Sequence, residues 1–143
     1  AQHSHDSGGH QDPAPAHAAG PDTRNVVIFP PQLKEHTLEN MRDHLLALKE
    51  IQNHLAQFEF DSAAEVAEQR LGMSTLQLHR AHEVAKYMPR GMQDAGTAMH
   101  RSASRFAIAT QEAWITRDLA RPLQALGAVT QACVACHAGY RLK

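Results

Sequence analysis

The chain has 143 residues, 43% of them hydrophobic, with a formal charge of −1 at pH 7 from 14 basic and 15 acidic side chains. That is enough for one domain with one core, and it leaves no basic face for nucleic acid or an anionic membrane. No stretch approaches the roughly 18 consecutive apolar residues of a membrane span, and the chain opens on Ala rather than Met, as a processed mature form would.

Residues 1–25 are Ala, Gly, Pro, Ser, Asp and His in the main, too polar to offset their ordering entropy by burial, and read as a flexible His-rich tail. Ala1-Gln2-His3 offers an amine, two amide nitrogens and an imidazole, a square-planar set for Cu(II) or Ni(II), and His5, His10 and His17 follow. A solubilising linker without metal accounts equally well for the composition.

Residues 26–143 read as the folded domain. Val26 to Phe29 is an extended lead-in stopped by Pro30 and Pro31, the second of which suits a first helical turn. Leu38, Met41, Leu45, Leu48 and Leu55 recur at threes, fours and sevens, which predicts helix A over about 31–57, with Met41 at the centre of its apolar stripe and His44 on the flank. Asp61 or Ser62 caps helix B, Ser62 to Glu65 having capping-box spacing, and Val66, Leu71, Leu78, Val84 and Met88 carry it to Pro89. Met92, Ala95, Met99, Ala103, Phe106, Thr110 and Ala113 predict helix C. Pro122 opens helix D, whose stripe is Leu119, Leu123, Leu126, Thr130, Cys133, His137 and Tyr140. Four amphipathic helices on short connections predict an all-α, antiparallel up-down-up-down four-helix bundle.

The chemistry gathers in helix D. Cys133-Val-Ala-Cys136-His137 contains both cysteines of the chain in the C-x-x-C-H pattern of covalent haem c attachment. Positions i, i+3 and i+4 share a helix face, so two thiols and one imidazole can meet a single porphyrin. A thiol-disulfide centre would follow a strand in a βαβ unit, a zinc site would need a second ligand pair, and a disulfide across so short a loop adds little stability. The expected cofactor is therefore one covalent haem c near one end of the bundle, filling core volume that an aromatic content of 5% leaves open. Haem c is attached outside the bacterial cytoplasm, which makes the periplasm the expected location. His79, His82 and His100 read as surface or hydrogen-bonded histidines rather than metal ligands.

Taken together, the ending Cys133-Val-Ala-Cys136-His137-Ala-Gly-Tyr140-Arg141, the four helices over about 31–143 and Met41-Arg42-Asp43 in helix A resemble the cytochrome c′ family, closest to its methionine-ligated low-spin relatives. The resemblance implies His137 as proximal iron ligand, Met41 as distal ligand and Arg141 near a propionate or the proximal haem face. Tyr140 either packs on the porphyrin edge or closes the end of the core. The heights agree: Met41 lies about 15 Å from the start of helix A and His137 about 9 Å from the end of helix D, at ~1.5 Å rise per residue. Met88, Met92, Met99 and His44 compete for the sixth position, and an open position is the further alternative.

A closed His/Met site implies a non-enzymatic electron carrier with unidentified redox partners; an open one implies a five-coordinate protein that binds NO or CO. Metal binding through the tail is a third reading, and a peroxidase using His44 and Arg42 is the least supported. The resemblance also admits a homodimer through exposed faces of helices A and B.

Overall fold

The computed structural model describes residues 20–143, and the expectations for His3, His5, His10 and His17 lie outside them. The class is all-α: α1 (Pro31–Ala56), α2 (Phe60–Arg70), α3 (Ala81–Ala85), α4 (Arg90–Thr116) and α5 (Ala120–Gly139), with two three-residue strands, β1 (Asn25–Val27) and β2 (Tyr140–Leu142). No helix among the described residues is long and apolar enough to cross a membrane.

Prolines place the helix starts. Pro30 and Pro89 stand in extended conformation just ahead of α1 and α4, and Pro31 takes the first helical position, where a missing N–H costs nothing. α2 starts at Phe60 rather than at the capping-box serine, and no side chain caps it. Phe60 is fully buried, and burying a phenylalanine contributes about 1.5–3 kcal/mol, more than the ~1 kcal/mol typical of a cap.

The predicted continuous helix B is broken. α2 ends at Arg70, a 3₁₀ turn spans Met73–Thr75, and α3 resumes only after Arg80, which adopts left-handed φ 52°. Local polar bonds outcompete the helix here: Ser74 Oγ donates to the Glu68 carbonyl, Ser74 N–H donates to the Glu68 carboxylate, and Thr75 Oγ1 donates to the Gly72 carbonyl. Leu78, read as a core residue of helix B, is consequently 71% exposed.

Helix D is also shorter than predicted. α5 stops at Gly139, and Tyr140 is extended (φ −135°, ψ 150°). Tyr140, Arg141 and Leu142 pair in parallel with Asn25, Val26 and Val27, so the lead-in strand and the C-terminal strand close one end of the molecule. The ladder supplies partners that a further helical turn at a chain end would lack.

Two buried clusters result. The larger joins α1, α2, α4 and α5 through Ile51, Leu55, Phe60, Leu71, Phe106 and Val129, with alanines such as Ala47, Ala63, Ala67 and Ala103 letting the helices approach closely. The smaller gathers Val27, Phe29, Leu33, Val84 and Met92, with Met88, Cys136 and Tyr140 against it. α4 packs on α2 and α5, and α1 packs chiefly on α2. Arg70 ties that last pair together, its guanidinium forked onto Asp43 (2.5 and 3.1 Å) and bonded to Glu50 (2.5 Å).

Candidate functional site

The start of α1 and the end of α5 lie at the same end of the molecule, and between them is a cavity of ≈340 Å³. α1 supplies Thr37, Leu38 and Met41 to its wall; α4 supplies Met92 and Gly96; α5 supplies Cys136 and His137; β2 supplies Tyr140, Arg141 and Leu142. Five of the six residues singled out for cofactor binding thus share one cavity although a hundred positions separate Met41 from Arg141. The sixth, Cys133, is half-buried one helical turn deeper, packed against the larger cluster.

Both thiols are free, and burial pushes each above the ordinary thiol range, so both are protonated at neutral pH. The buried face of α5 runs through Pro122, Leu126 and Val129 and on to Cys133 and Cys136. His137, placed by the sequence on the core-facing stripe, is exposed, and Leu123 is 52% exposed. The spacing 126, 129, 133, 136 is the one that keeps phase with the helix, and it carries the cysteines inward and the imidazole to the rim.

Helix α1 departs from expectation in the same manner. Its buried positions are Leu33, Thr37, His44, Ala47, Ile51 and Leu55, while Leu38 and Leu45 are 38% and 69% exposed. Met41 is therefore at the edge of the buried stripe, half-buried, and faces the cavity; His44, expected on the flank, is the buried residue. The leucines misled because two polar residues, Thr37 and His44, occupy inward positions. Met88 and Met92 also line the cavity, whereas Met99 is buried in the larger cluster.

Tyr140 is part of the smaller cluster and also lines the cavity. Its hydroxyl sits over Gly91 where a Cβ would stand, so glycine at the start of α4 makes room for it. Arg141, in β2 and not on a helix, has its Nε 3.3 Å from Asp22 Oδ2 without hydrogen-bond geometry, leaving a buried donor with no protein partner. Arg24 forks onto the same Asp22 (2.8 and 3.0 Å), holding its carboxyl well below the usual carboxylate range, and extends Nη1 to the His137 carbonyl (3.4 Å). Three cations, Arg24, Lys34 and Arg141, line this cavity, and two of them, Arg24 and Arg141, share the exposed Asp22 carboxylate. Arg24, Lys34 and Thr37 escaped the sequence reading because none belongs to a motif; only the folded ends bring them here.

A haem c fits this donor set. Two thiols on one buried helix face, an imidazole beside them, thioethers on the facing wall, and the unpartnered Arg141 Nε and Thr37 Oγ1 match an apolar macrocycle with anionic side arms. Comparison of the chain with protein-family models, with curated proteins and with solved structures found no match.

Proposed function

We propose that the protein is a periplasmic, monohaem c-type cytochrome that carries electrons, built as a four-helix bundle whose second member is broken into α2 and α3. The observation that carries the reading is the shared cavity of Met41, Cys136, His137, Tyr140 and Arg141, with Cys133 one turn away on the same helix. In this reading Cys133 and Cys136 would hold the haem through thioethers, and His137 and Met41 would donate to its iron. The bound haem supplies a one-electron iron couple.

The residues of the chain set the conditions for that couple. Leu38, Met88, Met92 and Leu142 exclude water from the walls and lower the local dielectric. As a neutral, soft donor, the Met41 thioether would favour the reduced state and so raise the potential. Lys34 and Arg141, beside the Arg24–Asp22 pair, would neutralise the haem's own carboxylates at the rim.

Optical spectra of the purified protein test the reading. The reduced protein should be low-spin and indifferent to CO, and Met41→Ala should yield high-spin, CO-reactive iron. A Met41→Ala spectrum identical to the parent's would remove Met41 from the iron, and parallel Met88→Ala and Met92→Ala variants would then identify the donor.

A specific observation favours the gas-binding alternative next: behind Met41 lies a second cavity of ≈220 Å³ whose wall includes Thr37, Met41, Met88 and Gly96, so displacement of Met41 gives a diatomic molecule somewhere to sit. CO binding by the unmodified reduced protein would put that reading first.

A further inference from the structure

The second cavity contains a feature that the haem reading does not use. Three histidines from three segments line it: His44 from α1, His79 from the turn before α3, and His100 from α4. Their ring centres are 4.9 Å (His44 to His79), 5.3 Å (His79 to His100) and 6.3 Å (His44 to His100) apart. Imidazoles sharing one tetrahedral Zn(II), each about 2.0–2.1 Å from the metal through nitrogen, have ring centres about 5 Å apart.

The tautomers are fixed in the manner a metal requires. His100 Nδ1 lies 2.7 Å from the Leu71 carbonyl, which can only accept, so Nδ1 carries the proton and Nε2 keeps its lone pair. Thr75 Oγ1 donates its own proton to the Gly72 carbonyl (2.7 Å) and can therefore only accept from His79 Nδ1 (3.4 Å), which leaves Nε2 of His79 free as well. Ligating histidines elsewhere are oriented by the same kind of second hydrogen bond. His44 is 7% exposed, and its Nε2 is buried with no partner in the protein. The neighbouring Asp43 carboxylate is occupied by Arg70 and does not compete for the imidazoles.

From this geometry we infer that His44, His79 and His100 form a binding site for a divalent transition metal of the Zn(II) class, distinct from the haem cavity and independent of the haem reading. As the rings stand, they do not hold a metal: among the described residues no three His, Cys, Asp or Glu side chains are placed to bind one ion, so the site requires a ring to turn. His79 and His100 are held through Nδ1, so the adjustment falls on His44. Turning that ring about χ2 moves its nitrogens while leaving its centre nearly in place. Burial also keeps the rings in their ligating, neutral form: it pushes His44 and His79 down to about 4 and lowers His100.

Zinc alone is the probe. The full-length protein with His3, His5, His10 and His17 replaced by Ala, which removes the competing tail imidazoles, should retain one Zn(II) per chain in equilibrium dialysis and unfold at a higher temperature with zinc than without. Adding His79→Gln, at a half-buried position outside both apolar clusters, should abolish both effects while leaving the circular dichroism unchanged. His44→Gln in the same background should weaken binding at least tenfold. Retention of zinc by the His79→Gln variant, or no retention by the folded tail variant, would overturn the assignment.

Discussion

Replacing His44 by Gln should flatten the loss of stability between pH 6.5 and pH 4. The His44 imidazole is pushed down to about 4 from its ordinary 6.5, first by burial and then by the charges that His79 and His100 would carry. A group whose pKa is depressed in the folded state binds fewer protons there than in the unfolded chain, so stability falls as pH drops through this window and the loss is complete below about 4. The gap of about 2.5 pH units, at ~1.36 kcal/mol each, amounts to about 3 kcal/mol. His44 is only 7% exposed, so solvent screening removes little of this. Urea unfolding at pH 7, 6, 5 and 4, with chelator present to exclude metal, measures the slope. The parent should lose about 3 kcal/mol more over the window than His44→Gln does. Acidic groups with lowered pKa values, such as Asp43, act alike in both proteins and cancel in the difference. Equal slopes would show that His44 takes up its proton as readily in the folded protein as in the unfolded chain, and the picture of imidazoles held neutral by burial would fail.

Two further substitutions test the packing that holds the cavities open. Phe60→Ala removes a fully buried ring where α2 meets the larger core and should cost about 3–5 kcal/mol in urea unfolding at pH 7; a cost under about 1 kcal/mol would mean the start of α2 is misplaced. Arg70→Ala breaks the clasp between α1 and α2, but the Asp43 side chain is 46% exposed and the pair is screened, so the cost should be about 1 kcal/mol and should shrink in high salt. A salt-independent cost would assign the effect to packing of the arginine stem instead.

The helical class and the positions of α1, α4 and α5 were legible because prolines and apolar periodicity mark them, as Pro31, Pro89 and Pro122 do here. The break after Arg70 was not, because Gly72, Ser74 and Thr75 act through local hydrogen bonds that periodicity does not register. The phase of α1 was misread for a different reason. Leu45 and Leu46 are strongly apolar yet 69% and 49% exposed, while the inward positions fall to Thr37 and His44, so counting leucines rotated the stripe. The cysteine and histidine positions were plain from C-x-x-C-H, whereas Arg24, next to β1, and Lys34, in α1, belong to no motif and meet the cavity only in the fold.

Those inward polar positions bear on what completes the fold. Four buried side-chain atoms among the described residues have no hydrogen-bond partner in the protein: Thr37 Oγ1, His44 Nε2, Arg141 Nε and Thr110 Oγ1. Such atoms are few in native proteins because each left unsatisfied costs about 1–3 kcal/mol. Thr110 lies within α4, fully buried, and nothing nearby explains it. The other three all line one or both of the two cavities. Both cavities, moreover, are walled by the stretch of α1 from Thr37 to His44, between the Arg70 clasp and the strand pair that closes the molecule. Apolar packing alone would have placed leucines at 37 and 44. A chain that instead buries a hydroxyl and an imidazole there leaves Thr37 Oγ1 and His44 Nε2 as polar atoms that a bound group in each cavity would satisfy, a metal being the one proposed at His44.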